Sequence, residues 1–79
     1  MLHKKIVDRG NRLPYRLLII STTKNGNEHS PRTVSHVIGS ENIAIHGREG
    51  EGIITIHGRQ KIKELRDALT EICAFMEIR

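Results

Sequence analysis

Between Ile53 and Met76 the hydrophobic period of the chain switches once, and that switch restricts the folds open to it. Ile54 and Ile56 alternate with Thr55 and His57, the period-2 pattern of a strand with one covered face. Gly58 ends the alternation. From there Ile62, Leu65, Leu69, Ile72 and Met76 recur at helical steps, widened by Ala68 and Cys73, while Lys63, Glu64, Arg66, Asp67, Thr70 and Glu71 take the other side. A strand followed at once by an amphipathic helix predicts that the helix folds back onto a sheet. The stripe is expected to carry much of the stability, with Leu69 at its centre. Its 3-4-3-4 spacing also suits a second helix, so a homodimer is expected.

The segments upstream supply the sheet. Tyr15–Thr23 holds four consecutive aliphatic residues, Leu17, Leu18, Ile19 and Ile20, and reads as a central strand. Asn25-Gly26 is the favoured pair for a two-residue hairpin turn, which would start a return strand near Glu28. Pro31 cannot donate to a ladder and belongs at an edge or bulge, with Arg32–Ile38 continuing the strand. Asn42–Arg59 reads as a second hairpin around Arg48–Gly52. Residues 1–12 are either an edge strand, Lys4–Asp8, or a loose basic arm. The fold class expected is α+β: an antiparallel meander of three to five strands, then one C-terminal amphipathic helix on one sheet face, in a single domain spanning residues 1–79.

One pattern is repeated. Ile43-Ala44-Ile45-His46-Gly47-Arg48 recurs eleven residues later as Ile54-Thr55-Ile56-His57-Gly58-Arg59. Strand alternation puts the four isoleucines on the helix side. It puts His46, Arg48, His57 and Arg59 on the opposite face, provided that the strands run on through the glycines. The more ordinary reading is a solvated surface whose strands end at Gly47 and Gly58; the functional one is a face that meets phosphates.

Charge adds to the functional reading. The net charge is +4, and residues 1–24 hold Lys4, Lys5, Arg9, Arg12, Arg16 and Lys24 against Asp8 alone. Basic side chains gain by displacing counterions from a polyanion. The candidate nucleic-acid contacts are therefore Lys4, Lys5, Arg9, Arg12 and Arg16 with His46, Arg48, His57 and Arg59. The chain has one Phe, one Tyr and no Trp, so base stacking has little to work with and contacts would be mainly to phosphates. The same scarcity leaves a core of Ile, Leu and Val, thin for 79 residues, for which association is a common remedy.

Catalytic chemistry finds no foothold. The five histidines show no compact ligand spacing, so no metal is expected. No nucleophile motif surrounds the serines or Cys73, which lies on the apolar stripe and reads as a small core residue. No paired carboxylates are expected in a cleft, and Glu49 and Glu51 would repel a phosphate from their loop. The expectation is a non-enzymatic chain without a cofactor. No apolar run approaches membrane-spanning length, and Met1–Lys5 is too short and polar for a signal peptide, so a cytoplasmic location is expected. One lone cysteine permits no intramolecular disulfide, in keeping with a reducing compartment.

Strands ending in Gly-Ile-Ile-Thr-Ile and a helix containing Lys-Glu-Leu-Arg-Asp-Ala-Leu resemble the end of the positive cofactor 4 class of single-stranded DNA-binding coactivators. The resemblance covers Gly52 to about Leu69 and implies a curved antiparallel sheet with one helix used in dimerisation. The sequence lacks the aromatic residues expected on such a sheet, and no functional residue is carried over. In size and composition the chain also resembles small accessory proteins of phages and mobile elements, many of which bind a host protein. The function expected is a small basic nucleic-acid-binding domain; the alternative is a protein-interaction or inhibitor module.

Overall fold

The computed structural model describes residues 1–10, 15–48 and 50–78. Five strands, β1 (His3–Arg9), β2 (Tyr15–Ser21), β3 (Thr33–Val37), β4 (Asn42–His46) and β5 (Ile53–His57), are followed by one helix, α1 (Arg59–Phe75). The strands form one antiparallel sheet in the order β1-β2-β3-β4-β5, a meander with no crossover. The expected α+β architecture is the observed one.

Residues 1–12 were open between arm and strand; His3–Arg9 is a strand, matched residue for residue with Tyr15–Ser21. Lys4, Lys5, Asp8 and Arg9 on this edge are charged, as suits a strand whose outer backbone groups are unpaired. Gly10 follows with φ 86°, a conformation that glycine adopts without strain. The expected turn partner Asn11, the Leu13-Pro14 step, Arg12 and Glu49 lie outside the described residues.

Register assigns the two faces. Lys5, Ile19, Ser35, Ala44 and Thr55 form one row across the sheet, flanked by Val7, Leu17 and Val37 and by His3, Ser21, Thr33 and His46. The opposite face carries Ile20, Val34, Ile45 and Ile54, with Ile43 and Ile56 beside them. Helix α1 lies on this second face and touches only β4 and β5. All four isoleucines of the repeat therefore lie on the helix side, as their alternation predicts.

The best-buried residues lie on the first face, away from the helix. Leu17, Ile19, Ser21, Thr33 and Ser35 are buried, Ile19 to 1% exposure. The connection between β2 and β3, residues 22–32, folds against one end of this face, where Thr23–Gly26 sit beside Ile19 and Ser21. It is not the expected two-residue hairpin, and no strand starts near Glu28. Short side chains capture the backbone before a ladder can form. Ser21 Oγ accepts from the Thr23 amide at 3.0 Å, Ser30 Oγ from the Asn27 amide at 2.9 Å, and Asn27 Oδ1 from the His29 amide at 2.8 Å. The tight turn is Thr23–Gly26, closed by Gly26 N–H to the Thr23 carbonyl, with Asn25 rather than Gly26 at positive φ. Gly26 is required for space instead: a Cβ there would sit 2.6 Å from Ser21 Oγ. Ser21 Oγ also accepts from Thr33 Oγ1 at 3.3 Å, so this polar part of the core is hydrogen-bonded.

The connection is tied to β1 by an ion pair. Arg9 donates to both oxygens of Glu28, Nε to Oε1 at 3.0 Å and Nη2 to Oε2 at 2.9 Å. The hydrogen bond from Arg9 is the main reason the Glu28 carboxyl is held down at about 2, against an ordinary 4.5. A carboxyl lowered on folding stabilises the native state fully above its unfolded pKa and progressively less as pH falls towards the folded one. Stability is thus expected to decline between about pH 4.5 and 2 through this pair. Denaturant melts of the parent and Glu28→Gln across that window check it: the two curves should converge at low pH and separate above 4.5. Parallel curves would show that the pair is not held in solution.

Candidate functional site

Two surfaces gather the residues that sequence reasoning singled out. The first is the helix with the sheet face beneath it. α1 starts weakly: Gly58 offers no capping side chain, the first turn has no acidic residue, and Arg59 places a cation at the positive end of the helix dipole. Arg59 pairs with Glu41, and Gly58 N–H donates to the Glu41 carbonyl at 2.9 Å, so this end is held by the β3–β4 turn. At the other end Ile78 N–H reaches back to the Cys73 carbonyl at 2.9 Å, and Glu77 has φ 58°.

Between its ends the helix packs loosely. No residue of α1 is fully buried; Ile62, Leu65 and Cys73 are half-buried, while Leu69, Ile72, Phe75 and Met76 are exposed, Leu69 by 52% and Phe75 by 92%. The expectation that the stripe dominates the stability of a single chain is therefore corrected, and Cys73 is not a core residue. A helix crossing the outer two strands leaves the rest of its stripe, and of the sheet face, without cover. The result is an open groove of about 680 Å³ lined by Leu2, Ile20, Val34, Ile45, Ile62 and Leu69, with Ile43, Leu65 and Cys73 completing its apolar wall. Among the described residues Arg66 is the one charged side chain that lines it. Ile53 and Ile54 on β5 are also exposed.

The second surface is the expected basic face, and the structure distributes its residues differently. β4 ends at His46 and β5 at His57, so Arg48 and Arg59 leave the sheet instead of lining its face. Arg48 turns back to Glu51, Nε to Oε1 at 2.8 Å, within the β4–β5 loop. His46 pairs with Ile53 and His57 with Asn42, opposite ends of the β4–β5 ladder. Four residues of strand at ~3.3 Å each separate the two imidazoles by roughly 13 Å. His46 is further occupied by His29 of the β2–β3 connection, edge to face at 5.5 Å between ring centres. Arg9 is bound to Glu28, and Arg16 faces Asp8 at 3.8 Å. Lys4 and Lys5 have no carboxylate partner among the described residues.

Among the described residues there is no group of three or more His, Cys, Asp or Glu side chains placed to hold a metal. His36 is engaged through Nδ1, which donates to the Asn42 carbonyl at 2.8 Å. No helix of the described residues is long and apolar enough to cross a membrane. Sequence reasoning missed Glu28 as an organiser of the fold and Lys24 as part of a cluster with Lys4 and Lys5. Glu28 was hidden because its partner is nineteen positions away. Comparison with protein-family models, with curated proteins and with solved structures finds no match to this chain.

Proposed function

We propose that the chain is a non-enzymatic protein-association module, and that the groove between its sheet and helix receives a second copy of the same chain. The observation that carries this reading is surface area. The chain exposes 6666 Å². A folded monomer of its 9.0 kDa mass is expected to expose about 4,900 Å², some 1,800 Å² less. Its radius of gyration of 13.7 Å likewise exceeds the roughly 11.6 Å of a compact domain of this length. Standard interfaces bury ~800 Å² per partner and the larger ones ~1,000–2,500 Å², so the surplus is within what a dimer interface covers.

Chemistry supports a second copy as the occupant. The groove is apolar and nearly uncharged, so it favours an apolar ridge over a charged ligand. Such a ridge is present on the same molecule: Ile72, Phe75 and Met76 are exposed at the C-terminal end of α1. A patch and a groove on one molecule can be exchanged reciprocally about a two-fold axis. Light scattering over a dilution series tests the reading. A dimer mass at micromolar concentration is expected; a monomer mass at high micromolar concentration overturns it.

The second reading, nucleic-acid binding, retains the support of Lys4 and Lys5 but not of a continuous basic face. Arg9, Arg16, Arg48 and Arg59 each have a carboxylate partner that a phosphate would need to displace. Retention on single-stranded DNA at low salt, lost at high salt, would favour this reading; indifference to the polyanion favours association alone.

A further inference from the structure

We infer that the corner where β1 meets the Thr23–Gly26 turn is a binding site for a single phosphate group. This goes beyond the association reading and does not rest on it, since the corner and the helix groove are separate surfaces. The corner is a pocket of about 250 Å³ lined by His3, Lys4, Lys5, Thr23, Lys24 and Asn25, with Ile19, Ser21 and Gly26 completing it. Among the described residues no acidic side chain lines it.

Charge accounting across the first part of the chain explains why the pocket is positive. Residues 1–28 contain two carboxylates, Asp8 and Glu28. Asp8 faces Arg16, and Glu28 is held by both Arg9 nitrogens at hydrogen-bond distance. The ion pairs thus consume the acids with arginine and leave lysine uncompensated. Lys4, Lys5 and Lys24 have no carboxylate partner among the described residues. Strand alternation sets His3 and Lys5 on the pocket side with Ile19 and Ser21, while Lys4 adds its charge from the strand edge.

The turn holds backbone amides that its own closure does not use. It is closed by Gly26 N–H alone, and neither Lys24 nor Asn25 donates its amide to a backbone carbonyl among the described residues. Successive backbone amides at a turn, beside lysines and a threonine hydroxyl, are an arrangement that binds an anion. Clefts for drug-sized ligands run to ~300–1,000 Å³, so the pocket suits one anionic group whose remainder stays outside. The phosphate could belong to a nucleic-acid strand or to a free small anion; the chemistry of capture is the same.

The test is an amide chemical-shift titration of the whole chain, once with inorganic phosphate and once with a short oligothymidylate. Saturable shifts at Thr23, Lys24 and Asn25 are expected with phosphate. Lys5→Gln/Lys24→Gln should weaken binding at least tenfold. Lys61→Gln/Lys63→Gln, which removes the same charge from the exposed side of α1, should leave it within about twofold. Both lysines of the first pair are exposed, so the fold should persist, checked by an unchanged circular dichroism spectrum. If the oligonucleotide binds more tightly than phosphate and the Lys5/Lys24 variant abolishes the difference, the group comes from a strand. Equal affinity per phosphate identifies a free anion. Absence of saturable shifts at the turn with either ligand, or equal losses in both double variants, overturns the site and leaves the lysines as guards of an open sheet edge.

Discussion

Ile19→Ala is expected to destabilise the chain by ~2–5 kcal/mol, the range for truncating a fully buried aliphatic side chain. Ile19 is 1% exposed, and with Leu17 it makes up the whole buried hydrophobic core of the described residues. Its neighbours across the sheet are Lys5 and Ser35, and no bulky aliphatic residue in that row can move in to fill the space. A domain of this length has a total stability of ~4–12 kcal/mol, so the variant loses a large fraction of it and its urea midpoint should fall accordingly. Ile38→Ala is the control: Ile38 is 41% exposed, and the cost should be ~1 kcal/mol or less. Urea melts at one protein concentration decide it. Equal midpoint shifts for the two variants would mean that Ile19 is not part of the buried core.

Leu69→Asp is expected to abolish association while leaving the single chain folded. In isolation Leu69 is half exposed, so a carboxylate there remains hydrated and the monomer loses little. In the proposed dimer the same position lies in the groove that the partner occupies. A charge buried without a partner costs ~3–5 kcal/mol, which at 1.4 kcal/mol per tenfold weakens association by roughly 10²- to 4 × 10³-fold. In a two-fold interface the substitution is met from both chains, so the loss is felt twice. Sedimentation or light scattering should give a monomer mass with an unchanged circular dichroism spectrum. A dimer of parent affinity in the variant would show that copies meet elsewhere.

The parts of this fold legible in the sequence are those set by local periodicity. Ile54 and Ile56 against Thr55 and His57, and the stripe from Ile62 to Met76, gave β5 and α1 because each pattern concerns neighbours in the chain. The β2–β3 connection was not legible. Its path is set by Ser21, Asn27 and Ser30 capturing backbone amides and by Glu28 reaching Arg9, so Asn25-Gly26 makes a turn within a longer connection and not a two-residue hairpin. Of the two readings of the repeat, the one in which each glycine ends its strand is the observed one. Gly47 and Gly58 end their strands, and the arginines beyond them follow the nearest carboxylates, Glu51 and Glu41. Nor does a helical stripe tell how much of itself the chain can cover. That depends on the width of sheet beneath it, and here only β4 and β5 lie under the helix.

The connection from β5 to α1 is Gly58 alone, at φ 96° and with open space around its α-carbon. In a dimer, that single residue would set which molecule the helix packs on. The surface under α1 is the same whether the helix belongs to its own chain or to a neighbour, so two connectivities share one set of contacts. A short hinge in an unusual conformation favours the exchange of a terminal element between protomers. Placing a Cβ at Gly58 would strain the positive φ that folds the helix back. The strain is relieved when the hinge straightens, and a straightened hinge sends α1 to the partner's sheet. The proposed dimer would then become an intertwined one, with the same groove filled by the other chain's helix.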